Sequence, residues 1–116
     1  MNKFKELKVW QKAIQLITEN YFQTSKFPKD EMYGITSQIR RCAVSIPSNI
    51  AEGAGRKTKK DFSHFLNIAK GSSFELETQL IISKELEFLK LADFEILYSE
   101  LDEIQKMITG LQKSLN

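Results

Sequence analysis

The chain has 116 residues, 41% hydrophobic and 28% charged, which suits one globular domain and excludes a disordered segment. Five glycines and two prolines are too few for the turn clusters of an all-β fold. Net charge is only +2, yet residues 1–60 carry twelve basic against five acidic side chains, a net +7, and residues 61–116 carry five against ten, a net −5. This split fits a polyanionic partner, head-to-tail contact between copies, or plain solvation.

A first helix is predicted from about Glu6 to Thr24. Leu7, Trp10, Ile14, Ile17 and Tyr21 recur at spacings of three and four and form the expected core arc. Val9, Ala13 and Leu16 fall beside that arc and widen the apolar face to about 180°, more than the ~100° stripe a surface helix needs. The plainer reading of that width is loose core packing, and the sharper one is contact between subunits. Pro28 disfavours helix at Phe27, which is expected to pack back onto the bundle end, and Asp30 is placed to cap the next helix.

The second helix is predicted from about Glu31 to Ala54, with Met32, Ile35, Ile39, Ala43, Ile46 and Ile50 inward. Pro47 lies inside this pattern, where it costs ~3 kcal/mol unless compensated. One kinked helix is expected rather than two, because the apolar period continues in phase. Ser45, Ser48 and Asn49 are the groups expected to satisfy freed carbonyls. Gly53 and Gly55 are expected to stop the helix.

Thr58 is an N-cap candidate for a third helix from about Lys59 to Leu86, with Asp61 in the capping-box position. Phe62, Phe65, Leu66, Ala69, Ser73, Leu76 and Leu80 share one face. Gly71 costs ~1 kcal/mol in a helix interior, which a close helix–helix approach would justify. Phe74 and Ile81 stand off that face, which reads either as a second sign of a covered outer surface or as shielding of a loop. Asp93 is placed to cap a fourth helix, in which Leu97, Leu101, Ile104, Ile108, Leu111 and Leu115 repeat at four, three, four, three, four. Short connections between four helices predict an antiparallel up-and-down bundle, a single all-α domain over residues 1–116.

No catalytic apparatus is legible. Cys42 is the one cysteine and His64 the one histidine, so neither a disulfide, a cysteine-rich metal site nor a Cys–His pair is available. Glu52, Glu75 and Glu77 lack the Glu-x-x-His partners of a carboxylate di-metal bundle. No metal, cofactor or small-molecule substrate is expected. Cys42 is expected to serve as a small buried hydrophobe. No secretory signal is visible and no apolar run approaches the ~18 residues of a membrane span, so a cytoplasmic protein is expected. What remains is basic chemistry. Lys3, Lys5, Lys8, Lys12, Arg40, Arg41, Arg56, Lys57, Lys59 and Lys60 are candidate phosphate contacts, led by charge rather than base sequence. The competing reading pairs Arg41 and Arg56 with Glu52 inside the chain.

The run Gln38-Ile39-Arg40-Arg41-Cys42-Ala43-Val44-Ser45-Ile46-Pro47-Ser48-Asn49-Ile50-Ala51-Glu52-Gly53-Ala54-Gly55-Arg56 strongly resembles the bacterial four-helix bundle proteins encoded in intervening sequences of 23S ribosomal RNA genes. Leu7 to Ala13, Phe27-Pro28, Glu31-Met32-Tyr33, Phe65 to Ser72 and Glu75 to Leu80 continue the resemblance across nearly the whole chain, and Cys42 departs where the family often has Ala. The resemblance implies a four-helix bundle that assembles into a homopentamer; with the basic residues and the missing catalytic constellation, the leading expectation is a non-enzymatic protein associated with RNA or other nucleic acid. It implies kinship with accessory proteins of diversity-generating retroelements, hence a reverse transcriptase or a ribosomal component as a protein partner. Pro47, Asn49, Glu52, Gly53, Gly55 and Gly71 are read as structural positions. Val9, Ala13, Leu16, Phe74 and Ile81 are the candidate oligomer interface.

Overall fold

The computed structural model describes residues 3–116. Four helices, α1 (Lys8–Thr24), α2 (Ile35–Ala54), α3 (Lys59–Glu85) and α4 (Leu91–Ser114), run up and down, and no strand occurs among the described residues. Each helix packs on its two ring neighbours, α1 on α2, α2 on α3, α3 on α4 and α4 back on α1, with α2 and α3 the most intimate pair. Short 3-10 turns at Phe4–Glu6 and Lys29–Glu31 precede α1 and α2, so both helices start later than predicted.

The core is Leu16, Ile39, Ile46, Ile50, Leu66, Leu76, Leu80, Leu97, Leu101, Ile104 and Ile108, each at most 1% exposed, with Val9, Ala13, Ala43 and Ala69 between them. Fully burying a Leu or Ile is worth ~1.5–3 kcal/mol, so these positions decide the register of every helix.

On α1 the two apolar arcs exchange the roles expected of them. Val9, Ala13 and Leu16 are 4%, 0% and 1% exposed and belong to the core, so they are not available for contact between subunits. Leu7, Trp10 and Ile17 are only partly buried, and Ile14 and Tyr21 are 39% and 43% exposed. The inward arc continues through Asn20 and Thr24, both polar and buried. Their own helix takes up their donors, the Asn20 amide donating to the Leu16 carbonyl at 2.8 Å and the Thr24 hydroxyl to the Asn20 carbonyl at 2.7 Å, while Asn20 Oδ1 is buried without a partner among the described residues.

α2 runs through Pro47 as one helix. The Asn49 amide donates to the Ser45 carbonyl at 2.8 Å, and Ser45 Oγ meets Ser72 Oγ at 2.8 Å, tying α2 to α3. Met32, expected inside, is exposed. Asp30 caps nothing through its side chain, since it lies in the preceding 3-10 turn and Gly34 is the N-cap of α2.

Gly53 and Gly71 also exchange expectations. Gly53 sits inside α2, buried, and a Cβ there would lie 2.7 Å from Phe65 Cβ and 2.9 Å from Phe62 Cδ1. It is the close approach of α2 to α3, not a helix stop. Gly71 is exposed, and a Cβ there would meet nothing within 4 Å, because it lies on the outer side of α3. Gly55 follows the end of α2 at φ −87°, in right-handed backbone rather than the left-handed cap conformation.

Thr58 caps α3 as predicted, its Oγ1 accepting from the Asp61 N–H at 3.1 Å. α3 ends in a Schellman turn: Glu87 adopts φ 63°, and the N–H groups of Phe88 and Glu87 reach the Ser83 and Lys84 carbonyls at 2.9 and 3.0 Å. Phe27 does pack back, its ring 5.8 Å from Phe88. α4 starts at Leu91 after Lys90, which leaves Asp93 in the first turn instead of at the cap.

Candidate nucleic-acid interface

Chain reversal decides where the cations go. The start of α1, the end of α2, the start of α3 and the end of α4 meet at one end of the bundle. Phe4 lies in a groove with Ser48, Glu52, Gly55 and Arg56, and Lys59, Lys60, Ser63, His64 and Asn67 share another with Leu115 and Asn116. The Gln112 amide crosses from α4 to the Ser63 carbonyl at 3.2 Å and to Asn67 Oδ1 at 2.7 Å.

This end gathers Lys3, Lys5, Lys8, Arg56, Lys57, Lys59 and Lys60. Lys113, not singled out in the sequence, joins them because α4 ends there. Against these eight cations stand Glu6, Glu52 and Asp61, leaving a net +5. Lys3, Lys5, Lys8, Lys57, Lys59 and Lys60 are exposed and make no ion pair among the described residues.

Three of the ten candidates are engaged within the chain. Arg56 pairs with Glu52 at 2.8 Å and lies over the Phe65 ring at 4.8 Å, which is the internal pairing weighed above. Lys12 pairs with Glu103 across α1 and α4. Arg40 donates through Nε to Thr24 Oγ1 at 2.9 Å and stacks on Tyr21 at 4.5 Å. Arg41 makes no ion pair with Glu52; it is exposed, in a groove with Tyr21, Met32, Ser37, Arg40 and Val44. Fifteen residues separate Arg41 from Arg56, about 22 Å along the helix, so Arg40 and Arg41 belong to a different part of the surface.

The remaining polar groups offer little to a reaction. Cys42 is half-buried at the α2–α3 seam, more polar in setting than expected: Gln79 Nε2 donates to Sγ at 3.4 Å, and Sγ lies 3.8 Å from Glu75 Oε2. Burial, opposed by the Gln79 hydrogen bond and aided by the Glu75 charge, pushes the thiol above its usual range, away from the thiolate a nucleophile needs. His64 is exposed, edge-on to Phe65. Among the described residues no three His, Cys, Asp or Glu side chains gather as a metal site. No helix there is long and apolar enough to cross a membrane.

The sequence profile of the 23S rRNA-intervening sequence proteins matches residues 5–110. The chain belongs to that family. A solved structure from Bacteroides thetaiotaomicron VPI-5482, described as a protein of unknown function from the S23 ribosomal protein family, aligns with a TM-score of 0.84 at 24% identity, covering 90% of this chain and 95% of that one. At that identity the likeness speaks for the fold, and the shared four-helix arrangement is what it supports. No curated protein matches the chain. The family match spans all of the basic end except Lys3 and Lys113.

Proposed function

We propose that the protein is a non-enzymatic, self-assembling module that holds structured RNA by its phosphate backbone at the basic end of the bundle. The observation that carries this reading is the convergence on one end of six exposed lysines from separate chain segments, none in an ion pair among the described residues, a placement suited to neutralising phosphates and releasing their counterions. No element there matches a base-reading motif, so binding is led by charge and shape. The membership of the 23S rRNA-intervening sequence family is consistent with RNA as the polyanion. The resemblance points to five copies in the assembled form.

The test is a mobility-shift titration against a structured RNA at several salt concentrations. Replacing Lys57, Lys59 and Lys60 by Gln should weaken binding and lower the slope of log affinity against log salt by about 2–3, roughly one per lost phosphate contact. Absence of binding at low salt for the unaltered protein rejects the proposal.

A second reading, a protein–protein adaptor such as an accessory subunit for a reverse transcriptase or a ribosomal component, draws on the opposite end of the bundle. Phe22, Tyr33, Leu86 and Leu91 are 57%, 97%, 55% and 60% exposed there. Affinity capture from the host separates the two, since partners that survive nuclease treatment favour the adaptor.

A further inference from the structure

At the basic end, the groove between the start of α3 and the end of α4 is polar and cationic. Lys59 and Lys60 line it from the first turn of α3, Ser63, His64 and Asn67 follow along the helix, and Leu115 adds an apolar contact beyond the end of α4. No Asp or Glu side chain lines it, whereas carboxylates line the grooves beside Lys12, Phe4 and Phe74. Lys60, His64 and Asn67 fall at intervals of four and three, so they form one stripe of α3 about 10 Å long.

Two polar groups in this groove are unengaged. Elsewhere on α3, Ser73, Thr78 and Ser83 donate to carbonyls one turn back at 2.6, 2.9 and 2.8 Å, and Ser72 meets Ser45. Ser63 Oγ alone among the α3 hydroxyls has no such bond. The Ser63 backbone carbonyl instead orients a side chain of α4. A carbonyl only accepts, so the Gln112 group 3.2 Å from it is the NH2. That same NH2 reaches Asn67 at 2.7 Å, so Asn67 must present Oδ1 to it. The Asn67 NH2 is thereby held on the other arm of the amide, with both N–H donors unengaged among the described residues.

A pair of ammonium groups, a hydroxyl, an oriented amide donor and an exposed imidazole match the parts of one nucleotide. The lysines suit the phosphate, and the His64 ring, edge-on to Phe65, suits the face of a base. Stacking of that kind does not select among bases. The sugar contact does select, because only ribose carries a 2′-hydroxyl to accept from Asn67 Nδ2 and to pair with Ser63 Oγ. Resting on the RNA reading above, we infer that this groove seats a ribonucleotide and that Asn67 and Ser63 make the basic end prefer ribose to deoxyribose. A stripe of about 10 Å is far shorter than the ~16 base pairs that a reader of duplex shape spans, so the occupant is an unpaired nucleotide of a loop or end. Gln112 is a positioning residue, which orients the Asn67 donor without touching the RNA.

The probe is an RNA hairpin whose loop is made once with ribose and once with 2′-deoxyribose, the bases and the stem unchanged. In a mobility-shift titration the ribose loop should bind about 3–10-fold tighter, the worth of one ordinary hydrogen bond. Ser63→Ala and Asn67→Ala together should erase that preference with unchanged helical circular dichroism. Should the double variant unfold, Asn67→Ala alone, at an exposed helix position, reads the same loss. Gln112→Ala, which frees the Asn67 amide to flip, should reduce the preference. Replacing Lys59 and Lys60 by Gln should weaken both probes together and keep their ratio. Equal affinity of the unaltered protein for the two loops overturns the ribose contact and leaves charge-led binding at the basic end standing. A preference that survives the double variant also overturns it. Binding of neither hairpin at low salt removes this inference together with the RNA reading beneath it.

Discussion

Gly53→Ala should destabilise the bundle even though alanine is the better helix former. A methyl group at that position lies 2.7 Å from Phe65 Cβ, 2.9 Å from Phe62 Cδ1 and 3.2 Å from the Phe62 carbonyl oxygen. The ring carbon can swing aside, but Phe65 Cβ and the carbonyl are fixed to the α3 backbone, so α2 and α3 must separate by several tenths of an ångström. Overpacking of this kind costs ~1–3 kcal/mol, while replacing a helical glycine by alanine returns ~0.5–1 kcal/mol. The net expectation is a loss of about 1–2 kcal/mol, seen as a lower urea midpoint at unchanged slope. The companion substitution reverses the sign. Gly71 sits in the α3 interior with open space where a Cβ would stand, so Gly71→Ala should gain about 0.5–1 kcal/mol from propensity alone. Both are measured at several protein concentrations, so that association does not enter. A stabilised Gly53→Ala, or a destabilised Gly71→Ala, refutes the view that α2 and α3 touch backbone to side chain at Gly53 and that α3 is open at Gly71.

Two further outcomes follow from single groups. Glu87 holds φ 63° in the turn after α3, a conformation that costs a side-chain-bearing residue ~1–2 kcal/mol, so Glu87→Gly should raise stability by about 0.5–1 kcal/mol in thermal or urea unfolding. Glu100 has a buried, unpartnered Oε2, and burial first, then the Glu19 charge, raises its pKa above the ordinary 4.5, with Lys12 opposing. A carboxyl raised in the folded state stabilises it fully below the unfolded value and loses that contribution as pH rises through the folded one. Glu100→Gln should therefore be more stable than the unaltered protein at neutral pH, and the difference should vanish toward about pH 4. An advantage that persists or grows in acid would show that the carboxyl is not the cause.

Much of this molecule is legible in its apolar spacing. The intervals of three and four in Ile39, Ala43, Ile46, Ile50 and in Leu97, Leu101, Ile104, Ile108 place the α2 and α4 seams, and Thr58 marks the start of α3, because a helix repeats every 3.6 residues and a hydroxyl can cap its first N–H groups. The same spacing could not choose between two equivalent arcs on α1. Leu7–Trp10–Ile14–Ile17–Tyr21 reads as more apolar than Val9–Ala13–Leu16–Asn20–Thr24, yet the second is inside. That choice depends on Ala13 being small enough for neighbouring helices to approach and on Asn20 and Thr24 bonding to their own backbone, neither of which a hydrophobicity pattern contains.

What the sequence determined by itself was the number of helices, their order and the identity of most core residues, since these follow from local periodicity and cap chemistry. It also held every lysine and arginine of the candidate interface, but only as a list spread over much of the chain. Tertiary structure alone decided that Lys3, Lys5 and Lys8 stand beside Lys57, Lys59 and Lys60, that Lys12, Arg40 and Arg56 are spoken for, and that Gly53 is the contact glycine. The physical reason is that charge and packing act through space, and two reversals of the chain bring together segments some fifty residues apart in ways that no local interval records.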